Sequence, residues 1–119
     1  MKRLSEAEYE MARIIWKNQP MSSGDLVIAC ESNMGWKKST TYTILKRMIE
    51  KEVAMNRNSM VSMIVSKDEI DTEEAKDLMT RSFEGSLPCF VTAYMRGKKL
   101  SRSDAEELKQ LISKYTEKD

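Results

Sequence analysis

Residues 36–52, WKKSTTYTILKRMIEKE, combine two lysines, a run of hydroxyl side chains and the apolar spacing of a helix. Short hydroxyl and cationic side chains on the exposed side of a helix suit contacts with phosphate oxygens and base edges. We interpret this stretch as a recognition helix over about residues 39–51, although an ordinary surface helix is the alternative for this stretch alone. The apolar residues at i, i+1, i+4 and i+5, which predict one buried stripe, are Ile44, Leu45, Met48 and Ile49.

The chemistry of these side chains divides the predicted contacts into two groups. Thr40 or Thr43, in the first turns, is expected to meet a thymine methyl group or hydrogen-bond a base edge. The tyrosine and the basic side chains are expected to contact sugar or phosphate, with inward pairing of Arg47 to an acid such as Glu10 or Glu50 as an alternative. The predicted DNA-binding residues are Lys37, Lys38, Ser39, Thr40, Tyr42, Thr43, Lys46, Arg47 and Arg57.

The composition excludes several kinds of active site. The chain has no histidine, so the commonest general base and the commonest metal ligand are missing, and Ser-His-Asp triads are excluded. Its four glycines are isolated, so there is no Gly-rich phosphate loop. Cys30 and Cys89 are expected to be reduced, partly buried thiols, and the ten methionines to fill the core. We therefore predict a protein that is not an enzyme and that binds no cofactor or metal ion.

The net charge of +1 hides an uneven distribution. Residues 1–66 carry 10 basic and 7 acidic side chains, whereas residues 67–119 carry 10 and 12. The basic segment 36–57 is a modest electrostatic footprint for a polyanion. With 40% apolar and 33% charged residues, the chain is typical of a soluble folded protein. No apolar run is long enough to span a bilayer and no secretory signal is visible, so we expect a cytoplasmic protein without a membrane partner.

The elements before the recognition helix follow the order of a helix-turn-helix. Ser5 and Glu8 form a capping box at the start of a first helix, which ends near Asn18 because a proline follows shortly after. A short second helix begins after Ser22, and the polar residues 31–35 are expected to form the turn that leads into the recognition helix.

A β-hairpin is predicted directly after the recognition helix. Residues 53–55 and 60–65 are short β-prone runs, and residues 56–59 between them are a polar turn. Three helices followed by a hairpin define a winged helix-turn-helix, and we place this DNA-binding domain at residues 1–68. The predicted fold class is mainly α, with a C-terminal helical region after the wing.

Residues 69–119 are predicted to form three helices that are each apolar on one face and are separated near Gly85 and Gly97. About fifty residues make only a marginal core alone, so we expect a two-fold homodimer through this region. The alternative is that these helices fold back on the N-terminal domain. The predicted dimerisation residues are Leu78, Met79, Phe83, Leu87, Phe90, Val91, Tyr94, Leu108, Leu111 and Ile112.

Several stretches occur together in a familiar order. They are Leu4 to Glu10 (LSEAEYE), Ile14-Ile15-Trp16, Pro20-Met21-Ser22, Trp36 to Met48, Phe83 to Leu87 (FEGSL) and Leu100 to Ile112. In this order and spacing the chain resembles the BlaI/MecI/CopY repressors, also called penicillinase repressors. The resemblance runs from Leu4 to about Lys114 without large gaps.

The resemblance implies a homodimeric transcriptional repressor whose N-terminal domains bind a dyad DNA operator and whose C-terminal helices hold the dimer. In the β-lactam-responsive members a membrane sensor leads to cleavage of the repressor at an Asn-Phe bond. The matching dipeptide here, Ala93-Tyr94, is the candidate cleavage region for an upstream sensor or protease, but it departs from the Asn-Phe pair that this protease cuts. The copper-responsive members carry a C-terminal cysteine cluster, which this sequence lacks.

Two further departures from the family pattern concern the recognition helix and the wing. Glu52 replaces the glycine that usually ends the recognition helix. The wing reads Met60-Val61-Ser62-Met63 where a Gly-Arg pair and tyrosines are usual, and Arg57 is the only cation left there. We expect such a wing to hold phosphate less well.

A function of a different class uses the same helices. The winged helix would then be a protein-interaction module that does not bind DNA. Salt dependence discriminates the two hypotheses, because a DNA complex weakens as the salt concentration rises.

Overall fold

The computed structural model describes residues 3–118. These residues divide into two compact units, one ending at Asp77 and the other beginning at Leu78. The elements in chain order are α1 (Glu6–Asn18), β1 (Met21–Ser22), α2 (Ser23–Met34), α3 (Lys38–Glu50), β2 (Ala54–Arg57), β3 (Met60–Met63), α4 (Lys67–Phe83), α5 (Leu87–Met95) and α6 (Arg102–Tyr115).

The first helix begins and ends as the sequence predicts. The Ser5 hydroxyl accepts from the Glu8 amide at 3.2 Å, and the Ser5 amide donates to the Glu8 carboxylate at 2.7 Å, which is the predicted capping box. The helix ends at Asn18, two residues before Pro20. Its buried face, which includes Met11 and Ile15, packs into the core of the first unit.

The second helix is longer than expected. The Ser22 hydroxyl caps it by accepting from the Asp25 amide at 3.0 Å, and it continues to Met34. The turn predicted at residues 31–35 is therefore wrong for residues 31–34, because their polar side chains occupy the exposed side of a helix rather than a loop. Gly35, with φ of +70°, ends the helix in a left-handed conformation.

The third helix, α3, buries one face and exposes the other. Its burial agrees with the predicted stripe except at Ile49, which is 37% exposed. Ile49 lies about 90° around the helix from the centre of the buried face, so it falls at the edge of the stripe. The side chains of α3 that enter the core are Thr41, Ile44, Leu45 and Met48.

The wing is a hairpin within a three-stranded antiparallel sheet of order β1-β3-β2. Strand β2 continues to Arg57, so only Asn58 and Ser59 form the loop, and both have positive φ, as a tight two-residue hairpin turn requires. Strand β1, which the sequence did not predict, pairs Met21 with Val61 of β3. The wing is thus joined to the segment between α1 and α2 by backbone pairing.

The second unit buries none of its described residues, 78–118. Helix α5 is capped by Ser86, whose hydroxyl accepts from the Cys89 amide at 3.2 Å, and α6 is capped in the same way by Ser101. Phe90 contacts Phe83 edge-on, with ring centroids 5.4 Å apart. The expectation of a partly buried thiol is wrong for Cys89, which is exposed on α5, a helix without a buried residue; Cys30 is buried.

An ion pair between a buried carboxylate and a half-buried lysine joins the end of α3 to the start of α1. The Glu8 carboxylate is 2% exposed and accepts from Lys51 Nζ at 2.5 Å, while the same ammonium group donates to the Arg3 carbonyl at 2.9 Å. Burial acts to raise the pKa of Glu8, but hydrogen bonds from Lys51 and Ser5 outweigh it and lower the pKa below the ordinary value of 4.5. Glu8 therefore stays ionised in the folded protein at neutral pH.

We expect Glu8→Gln to lower the free energy of unfolding at pH 7 by about 2 kcal/mol, because it removes the charge partner of Lys51. Since the folded-state pKa of Glu8 is depressed, its contribution is present above the unfolded value of 4.5 and is lost as pH falls through the folded pKa. The difference between wild type and variant, measured by urea denaturation at several pH values, should shrink below pH 4.5. Glu10→Gln, which removes an exposed carboxylate 3.7 Å from Arg13, is the matched control. A difference that stays constant down to low pH would contradict this account.

Candidate nucleic-acid interface

The exposed face of α3 carries hydroxyl and basic side chains in a line. Ser39, Thr43 and Lys46 follow one another at i, i+4 and i+7, a spacing that stacks side chains on one side of a helix, and all three are exposed. Thr40 and Arg47 flank this line, and both are also exposed. The opposite face is locked in the core, so these side chains project from a fixed support.

The hydroxyl hydrogen of Thr43 is already used in a hydrogen bond within α3. It donates to the Ser39 carbonyl at 2.9 Å, one turn earlier in the same helix. Its oxygen can still accept a hydrogen bond and its methyl group is available for apolar contact. Thr43 is therefore equipped to accept from an amino group of a base edge or to contact a thymine methyl group.

Tyr42 lies at the boundary between α3 and α2. Its side chain is 38% exposed, and its hydroxyl makes a long hydrogen bond of 3.5 Å to the hydroxyl of Ser23, the first residue of α2. The Ser23 amide in turn donates to the Ser59 carbonyl in the wing turn at 2.8 Å. Tyr42, the start of α2 and the wing turn are thus linked by consecutive polar contacts.

The five predicted phosphate-binding cations lie on α3, at its N-cap or on strand β2 of the wing, and each is exposed. Within residues 3–118, none of them forms an ion pair with an acid. Arg47 does not pair with Glu10 or Glu50, so the inward alternative is not adopted. Their charge is available for an external anion. These cations are Lys37, Lys38, Lys46, Arg47 and Arg57.

Only some of the side chains of the wing are exposed. Val61 is fully buried and Met63 is 8% exposed, so alternate residues of β3 serve the core. Arg57 pairs with Met60 across the hairpin, directly beside the two-residue turn, and the Met60 side chain is 42% exposed. The exposed residues 56–60 at the tip of the wing include one cation, Arg57, so the wing can offer a ligand one charged side chain and several short polar ones.

Lys51 shows where charge counting along the sequence misleads. It lies in the basic segment but donates to the buried carboxylate of Glu8, and it is the C-terminal cap residue of α3. The signal that identifies this role is the carboxylate of the capping box at the start of α1, although its distance from Lys51 is not visible in the sequence. Lys51 attaches the end of α3 to the start of α1.

The backbone at both ends of α3 takes left-handed conformations. Gly35 precedes the helix with φ of +70°, and Glu52 follows it with φ of +61°. Glu52 is the position where the resemblance leads one to expect glycine, and the positive φ explains that preference. The chain therefore accepts a strained residue at the end of its recognition helix.

A second surface lies on the unit that begins at Leu78. The predicted dimerisation residues there are half-buried or exposed, and Leu100 and Tyr115, which the prediction omitted, are also exposed apolar residues. Tyr94 stacks on Phe90 at 6.1 Å and lies under Lys98 Nζ at 4.6 Å. Ala93 and Tyr94, the candidate cleavage region, lie inside α5.

The described residues include neither a metal-ligand cluster nor, at Cys30, a reactive thiol. No group of three His, Cys, Asp or Glu side chains within residues 3–118 converges to hold a metal ion. Burial raises the pKa of the Cys30 thiol, so this cysteine is a poor nucleophile. None of the helices described is long and apolar enough to cross a membrane.

These elements define a winged-helix protein. The first unit is similar to a solved structure of the DNA-binding domain of the repressor BlaI, with a TM-score of 0.53 and 19% sequence identity over 57% of this chain and 88% of that one. This likeness confirms the winged-helix fold predicted from the sequence.

The particular family follows from the sequence comparisons. The chain belongs to the penicillinase repressor family, whose profile matches residues 4–114. It is 22% identical to a penicillinase repressor of Staphylococcus aureus over 97% of this chain and 94% of that protein, and 25% identical to one of Bacillus licheniformis over 95% and 91%. It is also 22% identical to the methicillin resistance regulatory protein MecI of Mammaliicoccus sciuri over 93% of this chain and 94% of that protein. The family consists of transcriptional repressors and not of enzymes. This confirms the prediction that the protein is a regulator rather than an enzyme.

We expect Gly35→Ala to destabilise the first unit by about 1 kcal/mol, because an L-residue at φ of +70° is strained even though an added Cβ meets nothing within 4 Å. Gly24→Ala is the matched control, since Gly24 lies in the first turn of α2 without a positive φ and its added Cβ would meet only the Ser22 hydroxyl at 3.9 Å. Thermal unfolding followed by circular dichroism measures both variants. Equal effects of the two substitutions would show that the left-handed backbone at Gly35 is not the cause.

Proposed function

We propose that this protein is a transcriptional repressor that binds a dyad DNA operator as a homodimer, with α3 of each subunit in a major groove. The observation that carries the proposal is the exposed line of hydroxyl and basic side chains on α3, fixed by the buried opposite face of the same helix. Membership in a family of repressors supports it further. In this proposal the DNA-binding domain comprises residues 1–68 and the dimerisation domain residues 69–119.

The proposed DNA contacts fall into base contacts and phosphate contacts. Thr43 and its neighbours in the first turns of α3 face base edges, and Thr43 accepts from an amino group or touches a thymine methyl group. The basic side chains at both ends of α3 and Arg57 of the wing contact phosphates, which position the protein without reading sequence. Tyr42 of α3, whose hydroxyl lies beside Ser23 at the start of α2, contacts sugar or phosphate. The contact set is Lys37, Lys38, Ser39, Thr40, Tyr42, Thr43, Lys46, Arg47 and Arg57.

The proposed dimer rests on the apolar surface of the second unit. None of the described residues 78–118 is buried in the single chain, yet several large apolar side chains there are 41% to 74% exposed. Isolated exposed apolar residues are common, but a whole unit without a buried residue is not stable by itself. A second copy with the same surface supplies the missing core, and the isologous contact gives the two-fold axis that a dyad operator requires. The interface set is Leu78, Met79, Phe83, Leu87, Phe90, Val91, Tyr94, Leu108, Leu111 and Ile112.

Two substitutions on α3 should separate phosphate contact from base contact. Lys38→Ala should weaken binding to all duplexes alike and reduce the salt slope of log K by about one unit, because one phosphate contact is lost. Thr43→Ala should instead reduce the ratio of operator affinity to random-DNA affinity by about tenfold, which corresponds to one lost base contact. Fluorescence anisotropy across a salt series measures both, with an operator duplex obtained by in vitro selection from a random pool.

The control for charge is Lys99→Ala, which removes an exposed cation outside the proposed interface. It should bind like wild type. If Lys38→Ala and Thr43→Ala also bind operator and random DNA like wild type, α3 is not the recognition helix. Complexes that persist at high salt without nucleic acid would favour a protein-interaction module instead.

For the dimer, we expect Ile112→Glu to weaken self-association by about thirtyfold or more, because a carboxylate would have to enter the apolar interface. Ile112 is 64% exposed in the single chain, so the substitution by itself removes little intramolecular packing. Sedimentation velocity over a concentration series measures the shift from dimer to monomer.

Ile28→Glu is the matched control, because Ile28 is 66% exposed and lies on α2 of the first unit. It should remain as dimeric as wild type. A variant Ile112→Glu that sediments as a dimer at the same concentrations would place the interface elsewhere.

A further inference from the structure

A polar network holds the first turns of α4 against α1. The Tyr9 hydroxyl donates to one oxygen of the Asp71 carboxylate at 2.5 Å, and Lys67 Nζ donates to the other oxygen at 2.6 Å. Hydrogen bonds from Lys67 and Tyr9 lower the pKa of Asp71, so its carboxylate remains charged at neutral pH. Ile70, the residue before it, is 3% exposed and belongs to the core. The start of α4 is thus fixed by apolar and polar contacts together.

The Tyr9 ring is itself held in place. It contacts Trp16 edge-on, with centroids 5.8 Å apart, and Trp16 Nε1 donates to the Val65 carbonyl at 2.9 Å just before α4. The segment that enters α4 is therefore bound to α1 about two turns away from the Tyr9 contact. Rotation of α4 about its first turn would break both hydrogen bonds.

A second attachment lies further along α4. The Arg3 guanidinium pairs with the Asp77 carboxylate at 2.9 Å, and the Arg3 carbonyl accepts from Lys51 at the end of α3. Asp71 and Asp77 are six residues apart, about 9 Å along a helix axis. We call these two attachments together the α4 clasp. It comprises the hydrogen bonds among Tyr9, Lys67 and Asp71 and the separate ion pair of Arg3 with Asp77. One attachment leaves a helix free to pivot, whereas two attachments at different heights define its direction.

The direction of α4 matters because the helix is continuous from Lys67 to Phe83 and leads from the DNA-binding unit into the second unit. In B-DNA, half-sites of a dimeric reader are about one helical turn apart, and each added base pair rotates the second half-site by about 35°. A dimer with rigid connections engages both half-sites only at the matching spacing, while one with loose connections tolerates several.

We propose that the α4 clasp sets the half-site spacing that the dimer accepts, so that Tyr9, Lys67, Asp71, Arg3 and Asp77 are positioning residues for operator choice although none belongs to the proposed DNA-contact set. This inference rests on the proposed function, since it presupposes a dimer that reads two half-sites. It adds a determinant of specificity that acts through geometry and not through base contact.

The test is in vitro selection of duplexes from a random pool with the full chain, followed by sequencing. Wild type is expected to enrich two-fold symmetric sites with one dominant spacing. Tyr9→Phe removes only the hydroxyl and keeps the ring against Trp16, and Asp71→Asn removes the charge that Lys67 and Tyr9 share. Both variants are expected to enrich the same half-site sequence with two or more spacings.

Binding to spacing variants gives a second readout. On a duplex with two extra base pairs between the half-sites, wild type should lose about 100-fold in affinity, because only one half-site is engaged. The clasp variants should lose only about tenfold. Asp68→Asn is the matched control, since it removes the same charge from an exposed residue of the same turn of α4, and it should behave like wild type.

The outcomes separate the inference from the proposed function. If wild type enriches no two-fold symmetric sequence, the proposed function fails and the inference with it. If wild type and the clasp variants enrich the same half-site at the same single spacing, the repressor remains and the clasp is not the determinant. Altered half-site sequences in Tyr9→Phe would also overturn the inference, because they would show an effect on α3 itself.

Discussion

The structure depends on the burial of one face of α3. Ile44, Leu45 and Met48 pack against α1 and the wing, and this packing fixes which side chains of α3 point outward. Because side chains of a helix are rigidly related by its pitch, a slip of one residue would rotate the line of Ser39 and Thr43 by about 100° toward the core. The set of side chains that α3 exposes is therefore determined by the core as much as by the exposed residues themselves.

Polar contacts then fix α3 along its axis. Lys51 attaches the end of the helix to Glu8 and to the Arg3 carbonyl, while Gly35 sets the turn at its beginning. A buried carboxylate is costly unless it is paired, so the Glu8 position tolerates few other arrangements. The apolar core alone would allow packed helices to shift slightly against one another. These directional contacts hold α3 at one position along its axis.

Local sequence patterns predicted most of the fold. The capping box at Ser5, the start of α3 within a residue of the predicted position and the hairpin around Asn58 all depend on residues within a few positions of each other, and the structure has them. The errors are of two kinds. The length of α2 and the exposure of Ile49 were misjudged because polar residues on an exposed helix face look like a turn, and because the edge of an apolar stripe is decided by neighbours.

Long-range contacts could not be derived in this way. The attachment of Lys51 to Glu8 spans 43 positions and that of Tyr9 to Asp71 spans 62, and no periodicity links such residues. Strand β1 has only two residues and forms because β3 offers a partner. The predicted contact residues of α3 follow from helix geometry, but whether a cation in the segment is free or paired depends on the tertiary structure, as Lys51 and Lys46 illustrate.

The two units differ in how they are stabilised. The first unit has its own core, whereas the second, without a buried residue in 78–118, gains stability only when its apolar face is covered. In the proposed dimer, folding of the second unit, dimerisation and binding of two half-sites are therefore linked equilibria. An event that disrupts α5 or α6 would lower operator affinity through lost avidity while leaving the recognition helix intact. Control of repression and choice of sequence can thus reside in different parts of one small chain.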